Sequence, residues 1–237
     1  MYKQHEDKPG WARSKANKAY KGLKKLVVDF QVPPDTRLDP SVISDLLETS
    51  VTPVREALIQ LETENYIVGS PRNGYYTKKL YTKQISDEYG VANTILQHVI
   101  RENLDEHSRT WPVLPTIPRS DDYDLFGQFL EVFYEGVAEA GNNERMLDLV
   151  HEFNIRTRYV RFLDLQRPER LSCIRGEMSE LLELIDKRNK NGAIANVDRQ
   201  LRAIIYCVPD LVLEGNLRAG NTKESWLQTL LLISTES

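Results

Sequence analysis

The stretch LLETSVTPVREALIQLETENYIV, residues 46–68, places polar and basic side chains at the start of a helix, directly after a very short connection. Thr52 and Pro53 favour a helix start there, with Thr52 as the cap, because proline lacks the N–H group that stays unpaired in a first turn. Arg55 follows within that turn. Its guanidinium can bind a guanine edge or a phosphate, and Thr52 can donate to either. The predicted chemistry is recognition by hydrogen bonding.

The elements that must hold Arg55 are two helices joined by a tight turn. The second has an apolar stripe at i, i+3, i+4 and i+7, formed by Val54, Ala57, Leu58 and Leu61. With this stripe inward, Glu56 and Ile59 point outward with Thr52, and Arg55 lies on the flank. The preceding helix starts at Asp39-Pro40. Such a pair predicts a helix-turn-helix, whose second helix enters the DNA major groove by its N-terminal end.

A further helix before this pair and a hairpin after it complete the first domain. The helix runs from about residue 14 to 30, and its polar face carries four lysines: Lys15, Lys18, Lys21 and Lys25. The run YIVGSPRNGYYTKKL predicts a β-hairpin with a basic tip at Arg72-Asn73-Gly74, because Asn-Gly is a strong turn signal. This hairpin is interpreted as a wing beside the minor groove or the phosphate backbone. A plain three-helix bundle with an incidental hairpin is the alternative.

Charge is distributed unevenly along the 237 residues. Residues 1–80 hold 13 Lys/Arg against 10 Asp/Glu, whereas residues 81–237 hold 18 against 25. This asymmetry suggests that only the first part meets a polyanion, although a solvated helix surface would also account for it.

The rest of the chain shows only helical periodicity. Helices are predicted at residues 85–107, 123–141, 144–163, 168–189 and 193–215, and the antiparallel bundle that they suggest forms a second domain. The predicted fold is therefore mainly α, with a winged helix-turn-helix in residues 1–80 and an all-helical domain in residues 83–237.

Composition excludes several classes of protein. No apolar run is long enough for a membrane span, and the charged N-terminus does not predict a signal peptide. Two isolated cysteines favour a reduced, cytoplasmic setting. No nucleophile–base pair, phosphate-binding glycine loop or metal-ligand spacing is visible, so an enzyme is not expected.

The segment VPPDTRLDPSVISDLLETSVTPVREALIQLETENYIVGSPRNGYYT resembles the winged helix-turn-helix of GntR-type bacterial transcription regulators, above all in its block TPVREAL. The helical remainder is similar to the effector domain of the FadR/FCD branch, through FYEGVAEAGN and the run GEMSELLELIDKRNKNGAIANVDRQL. The resemblance implies a homodimer that binds a palindromic double-stranded DNA operator, acts as a repressor and responds to a small metabolite, for which a carboxylate is a candidate. The predicted DNA-contacting residues are Arg37, Ser50, Thr52, Arg55, Glu56, Arg72, Asn73 and Gly74.

The chain departs from the family pattern at several positions. Val51 stands where the family usually has a base-reading arginine, and Glu48 stands where a turn glycine is common. The family's divalent metal is held by one Asp and three His, and the matching positions are Leu130, Tyr134, Met178 and Gln200. These side chains are poor or impossible ligands for such an ion, so no metal cofactor is expected.

The helical domain is predicted to bind its effector without metal. Tyr134 and Gln200 offer neutral hydrogen bonds, Met178 offers apolar surface, and Arg158 with Tyr134 could hold a carboxylate. Most arginines of that helix are expected to lie on a solvated face beside acids. Two alternatives remain: a regulator of the same fold whose helical domain serves only dimerisation, and a helical enzyme with an accessory winged domain.

Overall fold

The computed structural model describes residues 10–28, 31–70, 74–104, 111–221 and 225–235. The chain divides into two compact units. The N-terminal unit comprises Met1–Leu80 together with Gly215–Ser237, and the helical unit comprises Tyr81–Glu214.

The N-terminal unit combines helices with a small antiparallel sheet. Its elements are α1 (Gly10–Val28), β1 (Arg37–Leu38), α2 (Pro40–Leu46), α3 (Val51–Thr63), β2 (Ile67–Ser70) and β3 (Gly74–Thr77). The strand order is β1-β3-β2, and Tyr76 of β3 lies between Arg37 of β1 and Val68 of β2. The predicted hairpin is confirmed. The short strand β1, which pairs with its second arm, was not predicted.

One apolar core joins the helices of this unit to the sheet. Its buried side chains include Leu23 and Leu26 of α1, Ile43 of α2, Val54, Leu58 and Leu61 of α3, and Ile67 of β2. The inward stripe predicted for α3 is confirmed, since Val54, Leu58 and Leu61 are fully buried. Burial of such side chains contributes about 1.5–3 kcal/mol each, so α3 is held mainly by this face.

The ends of α2 and α3 show where local signals are reliable. The Asp39 side chain accepts a hydrogen bond from the Ser41 N–H at 2.9 Å, which confirms the predicted cap of α2. The predicted cap of α3 is wrong by two residues, because Ser50 is the N-cap and Val51 is already helical. Pro53 is the third residue of α3. Because the N–H groups of a helix's first turn have no partner within the helix, proline is tolerated at the third position as well as at the first.

Glu48 in the turn between α2 and α3 has a positive φ of 47°, a conformation that favours glycine. A side chain in the left-handed region costs roughly 1–2 kcal/mol, partly offset by the larger entropy that glycine loses on folding. Glu48→Gly is therefore expected to raise the free energy of unfolding by about 0.5–1 kcal/mol in urea denaturation. Glu48→Ala is the control, because it removes the charge but keeps Cβ. An equal gain in both variants would show that charge, and not φ, is responsible.

The helical unit contains α4 (Thr82–Asn103), α5 (Tyr123–Glu139), α6 (Glu144–Leu165), α7 (Pro168–Asp186) and most of α8 (Lys190–Asn221). The five predicted helices are confirmed with shifted ends, and α8 continues through Pro209. No helix in the described ranges is long and apolar enough to cross a bilayer.

The last helix, α9 (Ser225–Thr235), was not predicted from the sequence. The sequence assigns residues 215–237 to the helical domain, but in the structure they belong to the N-terminal unit. The physical reason is burial: Trp226 and Leu230 are 5% and 0% exposed within the core of that unit.

Candidate functional site

The N-terminal end of α3 presents a polar, solvent-facing surface. Ser50, Thr52 and Arg55 are exposed, and Ile59, one turn further along, is 51% exposed. Glu56 is half-buried, so it faces outward less than predicted. The Ser50 side chain makes no capping hydrogen bond. First-turn N–H groups that lack such a cap are available to an anion, and the helix dipole adds to the attraction.

Arg55 differs from most of the arginines that the structure describes, because no described residue holds it by a hydrogen bond or an ion pair. It makes no hydrogen bond, ion pair or ring contact with any residue that the structure describes. By contrast, Arg170 of the helical unit donates to Asp164 at 2.9 Å. An exposed guanidinium without a partner keeps its five donors for a ligand.

The wing brings two of the predicted residues together. Gly74 begins β3 with a positive φ of 90°, and a Cβ atom added there would lie 3.9 Å from Arg37 Nε. Arg37 is 60% exposed, and its Nη2 lies 3.3 Å from Asp39 Oδ2. Arg72 and Asn73, predicted at the tip of the wing, lie outside the described residues. On the lysine-bearing face predicted for α1, Lys18, Lys21 and Lys25 are exposed. The side chain of Lys15 is not among those that the structure describes.

A hydrogen-bonded cluster fastens α1 to the C-terminal end of α3. Tyr20 Oη donates to Glu64 Oε2 at 2.6 Å, and Lys24 Nζ donates to the same oxygen at 2.9 Å. Lys24 also lies 4.6 Å from the centre of the Tyr66 ring. The hydrogen bonds from Tyr20 and Lys24 lower the pKa of the Glu64 carboxyl. Sequence reasoning missed this cluster, since Tyr20 and Lys24 lie 44 and 40 positions from Glu64 along the chain.

The helical unit contains a small, partly open cavity of about 30 Å³ with a mixed polar and apolar lining. Its lining comes from all five helices of the unit: Tyr89, Leu130, Tyr134, Arg161, Asp164, Leu165, Arg170, Ile174, Glu177, Gln200, Leu201 and Ile204. Burial raises the pKa of the Tyr89 and Tyr134 hydroxyls, so both are neutral hydrogen-bonding groups. Tyr134 and Gln200, both predicted to bind an effector, therefore face the same cavity. Met178 is fully buried but is not among the lining residues.

The donor set of this region does not fit the metal that the family resemblance implies. Leu130 has no ligating atom, and Tyr134 and Gln200 are neutral oxygen or amide groups. In the parts of the chain that are described, no three His, Cys, Asp or Glu side chains are grouped closely enough to hold a metal ion. His98 and His151 lie on different helices, and His151 Nδ1 is 3.0 Å from Glu135 Oε1.

Treatment of the purified protein with EDTA is therefore expected to leave its melting temperature unchanged, within about 1 °C. A resident metal that binds only the folded state would stabilise it, so chelation would lower the melting temperature by several degrees. Differential scanning calorimetry with and without EDTA checks this. Recovery of a lost melting temperature by added Zn²⁺ would contradict the metal-free assignment.

The structure assigns different surroundings to the predicted Arg158 and to Arg161. Arg158 donates to both oxygens of Glu131, from Nε at 2.8 Å and from Nη2 at 2.6 Å, and it does not line the cavity. Arg161, one turn later, lines the cavity and is 6% exposed. Its Nη2 donates to Glu131 Oε1 at 2.7 Å and to the Asn154 carbonyl at 2.9 Å. Of these two arginines, Arg161 and not Arg158 faces the cavity with Tyr134.

Helical spacing could have identified Arg161. It continues the buried stripe of α6 that contains Val150, Phe153, Asn154 and Thr157, at three- and four-residue intervals. The same stripe leads to Asp164, which is 1% exposed and accepts from Arg170. Charged residues within an otherwise buried helical stripe are the signal that was missed.

Comparisons with known proteins agree with both units. The model of the family "Bacterial regulatory proteins, gntR family" matches residues 15–76, and that of the "FCD domain" matches residues 88–203. The chain is 21% identical over 187 residues to the HTH-type transcriptional regulator YdhC of Bacillus subtilis, covering 75% of this chain and 84% of that protein. It is 24% identical over 148 residues to the Nta operon transcriptional regulator of Aminobacter aminovorans, covering 60% of this chain and 70% of the relative.

A solved structure shares the fold. The crystal structure of a GntR transcriptional regulator from Rhodococcus sp. RHA1 superposes with a TM-score of 0.66 at 16% identity, covering 83% of this chain and 98% of that one. With the winged unit, the helical unit and both family matches in agreement, the chain belongs to the GntR family of bacterial transcription regulators, in its FadR/FCD branch.

Proposed function

We propose that this regulator binds a palindromic operator as a homodimer and represses transcription in the cytoplasm. The observation that carries the proposal is the exposed Arg55 beside the uncapped N-terminal end of α3. A two-fold dimer presents two such helices to half-sites about one helical turn apart. Hydroxyl donors come from Ser50 and Thr52. The wing contacts the DNA through Arg37, Arg72, Asn73 and Gly74. Glu56 restricts which base can lie beside Arg55.

Selection of random duplex DNA by the purified protein, followed by sequencing, tests this proposal. We expect enrichment of a two-fold symmetric motif whose binding weakens steeply with salt. Enrichment of a single half-site would contradict binding as a dimer, and no enrichment with or without a metabolite extract would contradict operator binding. A reporter gene placed downstream of the selected motif then tests repression. A repressor lowers the expression of this reporter relative to cells that lack the protein.

We propose further that a small metabolite binds at the cavity of the helical unit and changes operator affinity. Arg161 and Arg170 supply cationic donors, and Tyr89, Tyr134 and Gln200 supply neutral hydrogen bonds. A carboxylate effector must compete with Asp164, which holds Arg170 at 2.9 Å. Because Asp164 is 1% exposed, its displaced carboxylate needs a new donor. The effector is therefore a carboxylate that also carries hydroxyl or ammonium donors.

A dimerisation-only helical unit is the second candidate, and the size of the cavity favours it. A volume of about 30 Å³ holds about one water molecule, so effector binding requires side chains to move. Thermal-shift measurements with hydroxy acids and amino acids separate the two candidates, since a ligand of the folded state raises the melting temperature. Tyr134→Phe should abolish that rise, whereas Tyr206→Phe, at a side chain that is 88% exposed, should not. No rise with any compound supports the second candidate.

A further inference from the structure

The core of the N-terminal unit contains a helix from the far end of the chain. Helix α9 packs against α1 and α2. Trp226 and Leu230 are buried in the same cluster as Leu23 of α1 and Ile43 of α2. Leu227 and Ile233 pack against the edge of that cluster. Removal of α9 would therefore expose apolar surface on both helices that support α3.

A second attachment is polar and independent of this apolar contact. The Asn216 side chain donates from Nδ2 to the Leu80 carbonyl at 3.1 Å and accepts from the Leu80 N–H at 3.3 Å. One amide thus pairs both backbone groups of a residue that follows the wing by three positions. The C-terminal segment therefore contacts this unit at the α1–α2 surface and again just after β3.

Neither attachment is part of the matched family regions. Those regions cover residues 15–76 and 88–203, whereas Leu80, Asn216 and Trp226 lie outside both. The winged unit of this chain therefore includes contacts made by residues beyond the regions that the family models match.

We propose that Asn216, Trp226 and Leu230 are positioning residues for DNA recognition. This proposal rests on the operator binding proposed above. Trp226 and Leu230 hold α1 and α2 in place, and α3 takes its position from its packing on these two helices. Asn216 holds the backbone of Leu80, directly after the wing. Base readout by Arg55 needs placement within about 0.5 Å, so a small loss of support misplaces it before the unit unfolds.

The test compares full-length variants for binding to the selected operator and to random duplex of equal length. Trp226→Ala removes the buried contact, Trp226→Phe retains most of it, and Leu232→Ala changes a side chain of the same helix that is 64% exposed. Asn216→Ala removes the polar attachment without opening the core. Fluorescence anisotropy at several salt concentrations gives the affinity and the salt slope, and circular dichroism at the same temperature shows that each variant is folded.

We expect Trp226→Ala to weaken operator binding at least about tenfold, with a shallower salt slope as phosphate contacts are lost. Trp226→Phe should recover affinity to within about threefold, and Leu232→Ala should match the parent. Folded Trp226→Ala with the parent's affinity and slope overturns the proposal. If Trp226→Ala does not fold, Asn216→Ala decides: weakened operator binding supports the proposal, and unchanged binding overturns it. A parent chain that does not prefer operator to random DNA contradicts operator binding itself, which is a distinguishable failure.

Discussion

Replacement of Arg55 with alanine is expected to weaken operator binding by about 10- to 100-fold while the melting temperature stays unchanged. A bidentate contact between arginine and guanine contributes about 1–3 kcal/mol of discrimination. Arg55 is exposed and makes no hydrogen bond, ion pair or ring contact with the described residues that a substitution would break. The fold should therefore tolerate the change, and the loss should be confined to binding.

Two further variants separate base reading from charge. Arg55→Lys retains the charge but loses the planar fork, so it should bind random DNA as the parent does and still lose operator preference. Arg145→Ala, at a 69% exposed arginine of α6, removes the same charge from the helical unit and should have no effect. Anisotropy titrations with operator and random duplex measure all three. If Arg55→Ala binds operator as tightly as the parent, α3 does not read the major groove through this residue.

Replacement of Glu131 with alanine is expected to lower the free energy of unfolding of the helical unit by about 3–5 kcal/mol. Glu131 is 14% exposed and binds two guanidinium groups, Arg158 through both oxygens and Arg161 through one. Arg161 is only 6% exposed, so removal of the carboxylate leaves a buried cation with no opposite charge at Glu131. Breaking one side of a buried ion pair costs far more than the intact pair contributes.

An exposed pair on α6, the helix that carries Arg158 and Arg161, is the matched control. Glu152 pairs with Arg156 at 2.7 Å, and the two side chains are 40% and 55% exposed. Glu152→Ala should therefore cost less than about 1 kcal/mol, because solvent screens the pair. Urea denaturation of both variants measures the difference. A loss below about 1 kcal/mol in Glu131→Ala would show that water reaches Arg161.

The pH dependence of the Glu131 contribution has a definite sign. Burial raises the pKa of its carboxyl, but Arg158 and Arg161 together outweigh burial and lower it. A group with a lowered pKa in the folded state stabilises the protein above its unfolded value and loses that contribution as pH falls. The difference in stability between the parent and Glu131→Gln should thus be largest near neutral pH. It should narrow below about pH 4, where an unfolded glutamate is protonated.

Local patterns were sufficient to predict most of the N-terminal unit. The inward stripe of α3, the Asp39 cap and the strands that flank Asn73-Gly74 follow from spacing and turn chemistry over a few residues. The exposure of Thr52 and Arg55 follows from the same stripe, because a helix with one buried face must present the other. Family resemblance added the expected function of these residues.

The cavity of the helical unit was only partly predictable. Tyr134 and Gln200 were identified from their aligned positions, and both line it. Arg161 and Asp164 were not identified, although their places in the buried stripe of α6 could have shown that they are buried. Helical spacing does not show which partner from another helix meets a buried residue, so the pairing of Asp164 with Arg170 was not predictable. Arg158 was chosen over Arg161 for the same reason, although Glu131 holds both.

The sequence by itself determined the order of the first eight helices, the winged helix-turn-helix with exposed polar and basic residues at the start of α3, and the residue types Leu130, Tyr134, Met178 and Gln200, which are poor or impossible ligands for a zinc-like ion. These properties depend on residue type and on spacing within one element. Only the tertiary structure decided that Glu131 pairs with two arginines, that Asn216 binds the Leu80 backbone, and that Trp226 completes the core of the N-terminal unit. Such contacts join residues up to about 200 positions apart. Because the hydrophobic effect has no direction, the apolar face of a helix does not show in the sequence which core it will be buried in.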